Sequence, residues 1–249
     1  KKKALPAETE NEFSFKINSK LSIKDLNLKS KLKFDEIFTN KKYQNLIYFK
    51  EGVIKTEYNN NNLSAQILSK YSFIEDKAKN TVNDKNNLNL HIVKKNNENI
   101  KVTGNLKNDK RSIDPKVLFK LAKVKSDLLS DKKIKIETDN NFTFQIDEKK
   151  NVKDLSINSN LKFDRLYFNK KYQGLIFLED GVVEMDFYDE NFSIIIDSKY
   201  SFLKEKYNDK ENKNIFKSKI KKEKNKDISV EAFLKNKKNK INSKEFTKY

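Results

Sequence analysis

Histidine occurs once in this 249-residue chain, at His91, and cysteine does not occur at all. Zinc takes three or four ligands drawn mainly from His and Cys, so a single histidine supports no such site. Thiol nucleophiles, Cys-metal clusters and disulfides are excluded with the cysteines. The acidic pairs Glu179-Asp180 and Asp189-Glu190 offer oxygen donors for a hard cation, yet they lack the spaced donors of an EF-hand loop. No nucleophile elbow, phosphate loop or dinucleotide fingerprint is present. With 36 acidic residues, neighbouring carboxylates are too common to signal acid-base catalysis. The chain reads as non-enzymatic, with no catalytic residue, no metal and no cofactor.

The formal net charge is +18, from 54 basic against 36 acidic residues. Only Arg111 and Arg165 are arginine, whereas bidentate recognition of bases and phosphates favours arginine. Charge carried by lysine speaks to non-specific association. Polyanion binding is therefore a lesser alternative, and no specific nucleic-acid partner is expected. No run of about 18 apolar residues appears, so nothing here reads as a membrane-crossing helix. The chain begins at Lys1 without a signal-like apolar stretch, which reads as an internal fragment.

What remains is apolar chemistry, and its spacing is regular. Phe192, Ile194, Ile196, Ser198, Tyr200 and Phe202 recur at every second position, so in an extended chain all six leave one face. Leu63, Ala65, Ile67, Ser69, Tyr71 and Phe73 do the same earlier in the chain. The two stretches belong to a longer repeat: from Phe13 with Phe142 to Phe73 with Phe202 the offset is 129 residues without a gap. Across those 61 positions 29 residues are identical, and they include Phe, Tyr, Asp and Gly positions that biased Lys and Asn usage cannot supply. This is an internal repeat.

Each copy opens on an alternating strand, Phe13-Phe15-Ile17 or Phe142-Phe144-Ile146. A long one-faced strand follows, Leu26, Leu28, Ser30, Leu32, Phe34 or Leu155, Ile157, Ser159, Leu161, Phe163. Ile23 and Val152 have the opposite parity, which predicts a β-bulge near Lys24-Asp25 and Lys153-Asp154. Glu51-Gly52 and Asp180-Gly181 read as hairpin turns, and Asn59 to Asn62 and Asp189-Glu190-Asn191 as the turns after them. Asp114-Pro115 is the one plausible helix start. His91 lies opposite the Leu88, Leu90, Ile92 face and is expected in solvent. With four glycines and two prolines, no linker separates two bodies. The reading is a mainly β fold with few or no helices, a continuous antiparallel meander of units 1–126 and 127–249.

Five or six large apolar groups on one strand face would cost roughly 1.5 to 3 kcal/mol each if left in water. The sequence offers no helix to cover them. The sheet must close into a sandwich, curl into a trough, or take an apolar ligand along its length.

The order of a long alternating strand, a Lys-Asp-Leu strand, a break at Lys41-Lys42-Tyr43-Gln44 or Lys170-Lys171-Tyr172-Gln173, a hairpin, an Asn-rich turn, and Asn191 to Phe202 resembles the repeats of the AsmA-like family. The likeness is to periplasmic proteins of the YhdP and TamB type, in their Lys/Asn-rich marine bacterial form, and it covers nearly the whole chain. The resemblance implies an elongated, twisted β-sheet bent into a groove, periplasmic and anchored in the inner membrane by a segment outside this sequence. It implies phospholipid or another acyl lipid as partner, carried between the inner and outer membranes. On that reading Leu26, Leu28, Leu63, Ile67, Tyr71, Phe73, Phe142, Phe144, Leu155, Ile157, Phe192, Ile194, Ile196, Tyr200 and Phe202 line the groove, and Lys41, Lys42, Lys170 and Lys171 meet headgroups. The alternative is a structural or adhesive β-repeat protein in which the same residues form a closed core and the lysines a solvated face.

Overall fold

A computed structural model describes residues 6–38, 47–73, 86–114, 129–130, 132–168, 176–202 and 214–236. Every regular element among them is a strand: β1 (Ala7–Ile17), β2 (Ile23–Phe38), β3 (Ile47–Asn59), β4 (Asn62–Phe73), β5 (Asn87–Lys94), β6 (Ile100–Ile113), β7 (Ile134–Ile146), β8 (Val152–Tyr167), β9 (Ile176–Tyr188), β10 (Asn191–Phe202), β11 (Ile215–Lys222) and β12 (Ser229–Lys235). Each strand pairs with its chain neighbours, giving one antiparallel sheet in the order β1 to β12. Among the described residues the sheet is not closed, and β1 and β12 are its two edges. The fold is an elongated, twisted antiparallel sheet without helices among the described residues. The helix start read at Asp114-Pro115 runs into residues outside the described set.

Local chemistry explains the meander. Asn60 (φ 46°) and Asn61 (φ 67°) form the turn between β3 and β4, and Asp189 (φ 41°) and Glu190 (φ 68°) the turn between β9 and β10. Two consecutive left-handed residues make a turn whose twist matches that of the flanking strands, and Asn and Asp tolerate this region better than most residues. The expected bulges also form. Ser14 and Lys16 face Asn27 and Lys24, while Thr143 and Gln145 face Ser156 and Lys153, so β2 and β8 each carry one extra residue. The positive φ falls on Asp25 (53°) and Asp154 (51°). Ile17 with Ile23 and Phe13 with Leu28 therefore pair on the same face.

Glu51-Gly52 and Asp180-Gly181 are not hairpin turns. They lie inside β3 and β9, where the register slips between Lys50 and Val53 and opposite the step from Asp197 to Lys199. The left-handed residue is the acid, Glu51 (φ 48°) or Asp180 (φ 47°), and no described glycine has a positive φ. Glycine is needed for space. A Cβ at Gly52 would overlap the ring of Phe34, and one at Gly181 the ring of Phe163.

The densest burial lies at the end of the sheet where the longer connections leave. Tyr71, Ile113, Ile134, Ile136, Phe163, Leu178 and Tyr200 form one cluster there, with Phe49, Leu88, Leu166 and Phe216 packed against it. At the opposite end, where short turns join the strands, Val102 is buried and most other apolar residues are half-buried or exposed.

Candidate functional site

Cross-strand partners share a face, so the registers can be followed across the molecule. Thr9 pairs with Leu32, Leu32 with Ile54, Ile54 with Ile67, Ile67 with Leu90, Leu90 with Gly104 and Gly104 with Phe142. The row continues through Ile157, Phe187, Phe192 and Lys222. One apolar row therefore crosses eleven strands and joins the early and late copies of the repeat on a single face. Leu32 and Leu161 hold equivalent places in the repeat, yet the row from Leu32 arrives at Ile157, four residues away. A register stagger of this kind accompanies strand tilt in a curved sheet.

The residues singled out from the sequence fall on this face. Leu28 pairs with Phe13, Leu63 with Tyr58, Phe144 with Val102, Ile194 with Met185 and Ile196 with Val183. Leu26 and Leu155 sit at the bulges opposite Phe15 and Phe144. Phe142, Phe144, Leu155, Ile157, Phe192, Ile194 and Ile196 are half-buried, and no described element lies over them. Tyr71 and Tyr200 belong instead to the buried cluster, at 2% and 5% exposure. Burial raises the pKa of the Tyr71 phenol, and the Arg111 guanidinium offsets part of that rise. Phe73 and Phe202 lie on β4 and β10, but their side chains are outside the described set, as are Lys41, Lys42, Lys170 and Lys171.

The apolar face is interrupted by a polar step that strand alternation alone does not reveal. Ser159 Oγ donates to Asn140 Oδ1 at 2.5 Å, and Ser30 Oγ to Asn11 Oδ1 at 2.6 Å. The two pairs occupy equivalent places in the repeat. The only sequence signal for them is a serine in each apolar series.

The reverse face is ionic. Lys33 meets Glu8 at 3.2 Å, Lys199 meets Asp180 at 2.9 Å and Lys217 meets Asp197 at 2.7 Å. Lys107 and Asp139 lie 3.8 Å apart. Such exposed pairs contribute little individually. A hollow of about 220 Å³ on this side is lined by Lys110, Glu137, Asp164 and Asp180. Lys110 reaches Asp164 at 2.6 Å, and that hydrogen bond raises its pKa. His91 is exposed here as expected, 3.2 Å from Ser64 Oγ. Among the described residues no group of three or more acidic, His or Cys side chains is placed to hold a metal ion. Also on this side, Phe38 stacks on Tyr48 at 5.5 Å and Tyr167 on Phe177 at 5.2 Å, a repeated aromatic pair whose members come from adjacent strands and are joined only by register.

Comparison with protein-family models, curated proteins and solved structures finds no match to this chain. No helix among the described residues is long and apolar enough to cross a membrane. The site is therefore defined by its own geometry: a largely apolar face with polar steps on an open sheet of the described residues, backed by a charged face.

Proposed function

We propose that the apolar face binds acyl chains, and that the chain is a lipid-transfer segment of a bacterial cell envelope whose curved sheet acts as a trough between inner and outer membranes. The carrying observation is the unbroken row from Leu32 to Phe192 on a face with no described covering layer. At the usual strand spacing of 4.7–4.9 Å the twelve strands span about 50 Å. That exceeds the ~30 Å hydrocarbon thickness of a bilayer, so several acyl chains fit end to end along the row. The AsmA-like order of the repeat supports the same reading and supplies the periplasmic setting. Among the described residues there is no second sheet to seal this face, which weighs against the closed-core alternative. Cross-strand carboxylates already face many of the reverse-face lysines, which weighs against polyanion binding.

The experiment is lipid extraction and mass spectrometry of the purified protein, followed by uptake of a fluorescent phospholipid from phosphatidylethanolamine/phosphatidylglycerol vesicles. The chain carrying both Ile67→Asp and Ile196→Asp should lose bound lipid while its circular dichroism stays β-rich. Ile195→Asp, on the reverse face, should retain it. A wild-type protein that neither carries nor extracts lipid would end this reading.

A further inference from the structure

The two edges of the sheet are complementary to one another. The register places β12 as the counterpart of β6: Ile92 pairs with Val102 and Leu90 with Gly104, just as Ile220 pairs with Val230 and Ser218 with Ala232. By the offset of the repeat, β1 is the counterpart of β7. Within the sheet β6 and β7 are partners, with Ile100 on Ile146, Val102 on Phe144, Gly104 on Phe142 and Lys107 on Asp139. The free edge of β12 thus has the pattern that accepts β7, and the free edge of β1 has the pattern that β6 accepts.

We propose that β12 of one copy of this chain pairs antiparallel with β1 of a second copy, extending the sheet head to tail. Transferring the β6·β7 register sets Ile228 opposite Ile17, Val230 opposite Phe15, Ala232 opposite Phe13 and Lys235 opposite Glu10. The apolar faces become continuous across the junction. Phe13, Phe15 and Val230 are 70%, 43% and 63% exposed as the chain stands alone, and this pairing covers them. On the reverse face Lys235 and Glu10 restore the opposite-charge pair that Lys107 and Asp139 form inside the sheet.

Charge also disfavours the pairing of β1 with a second β1. Glu8, Glu10 and Glu12 alternate along one face of β1, so two β1 edges brought together antiparallel would set acid against acid. An interface between two different edges generates open chains of copies, or rings where the rotation closes, rather than a two-fold dimer. One feature limits its strength. A Cβ at Gly104 would overlap the Phe142 ring, and Ala232 carries that Cβ opposite Phe13, whose ring must turn aside.

The test uses the full chain, which has no native cysteine. Mixing the Lys235→Cys and Glu10→Cys variants under oxidising conditions should yield the mixed disulfide, whereas Phe233→Cys with Glu10→Cys, two residues out of register, should yield little. Sedimentation velocity should show assembly growing with concentration. Glu10→Lys should weaken it about threefold, the scale of an exposed ion pair, and Lys235→Glu added to it should restore it. Ala232→Gly should strengthen it. A chain that stays monomeric with no mixed disulfide, or equal yields from the in-register and shifted pairs, overturns the proposal. The lipid assay reads Ile67 and Ile196 in the interior of the sheet whereas this test reads its two edge strands, so either reading can fail without the other.

Discussion

Phe163 lies directly across the β8–β9 ladder from Gly181, its ring occupying the space a side chain there would take. Phe34 and Gly52 repeat the arrangement between β2 and β3. Each ring is buried, at 4% and 5% exposure, beside a bulge whose left-handed residue is the preceding acid.

Gly181→Ala should therefore destabilise the protein by about 1–3 kcal/mol, the usual range for overpacking a fitted site. The cost is steric, because Gly181 does not have a positive φ. Chemical denaturation of Gly181→Ala, Phe163→Leu and the double variant checks it. The smaller side chain should relieve the overlap, so the double variant should be less destabilised than the sum of the singles.

Asp154 takes φ 51° at the β8 bulge, where the extra residue keeps Val152 and Ile157 on the apolar face. A β-branched residue is disfavoured in that region, at about 1–2 kcal/mol. Asp154→Val should lower the denaturation midpoint accordingly, while Asp154→Gly should be close to neutral. Equal effects of the two would remove the conformational explanation.

Much of this architecture is legible in the residues. Alternation from Phe192 to Tyr200 marks β10 and its apolar face, and the parity change at Ile23 and Val152 locates both bulges. Asp180-Gly181 misleads, because an acid-glycine pair serves a two-residue turn and a mid-strand bulge equally well. Local sequence does not separate them; the ring of Phe163, 18 residues earlier, does. The buried placement of Tyr71 and Tyr200 is likewise invisible in alternation, which assigns a face without saying which end of the strand is covered. The Asn140–Ser159 pair depends on register between strands, and a single strand does not contain that information.

Adjacent isoleucines on β10 offer a direct contrast of the two faces. Ile196 pairs with Val183 on the apolar side, whereas Ile195 pairs with Glu184 and Lys219 on the ionic side. Aspartate at 196 should cost about 2 kcal/mol more than aspartate at 195, on the order of burying one aliphatic side chain. Urea midpoints of the two variants measure the difference, and equal midpoints would show that the two faces are not energetically distinct at this strand.

The turn after β7 makes a pH prediction through its comparison with the turn after β1. Asp147 Oδ1 accepts the backbone N–H of Asn151 at 2.8 Å, and Lys153 lies 3.1 Å from its carboxylate. The backbone hydrogen bond first, then Lys153, lower its pKa from 3.8 to about 2. In the equivalent turn Asn18 Oδ1 accepts the N–H groups of Lys20 at 2.9 Å and Ser22 at 3.0 Å, doing the same work with an amide that does not titrate. A carboxylate whose folded pKa lies below its unfolded value contributes its stability above the unfolded pKa and loses it as pH falls through the folded one. The Asp147 contribution should therefore be complete above about pH 4 and fade towards pH 2. Asp147→Asn keeps the acceptor oxygen and removes the titration, so its urea midpoint should fall less steeply than that of the wild type across this window. Parallel curves for the two proteins would assign the acid sensitivity to other carboxylates.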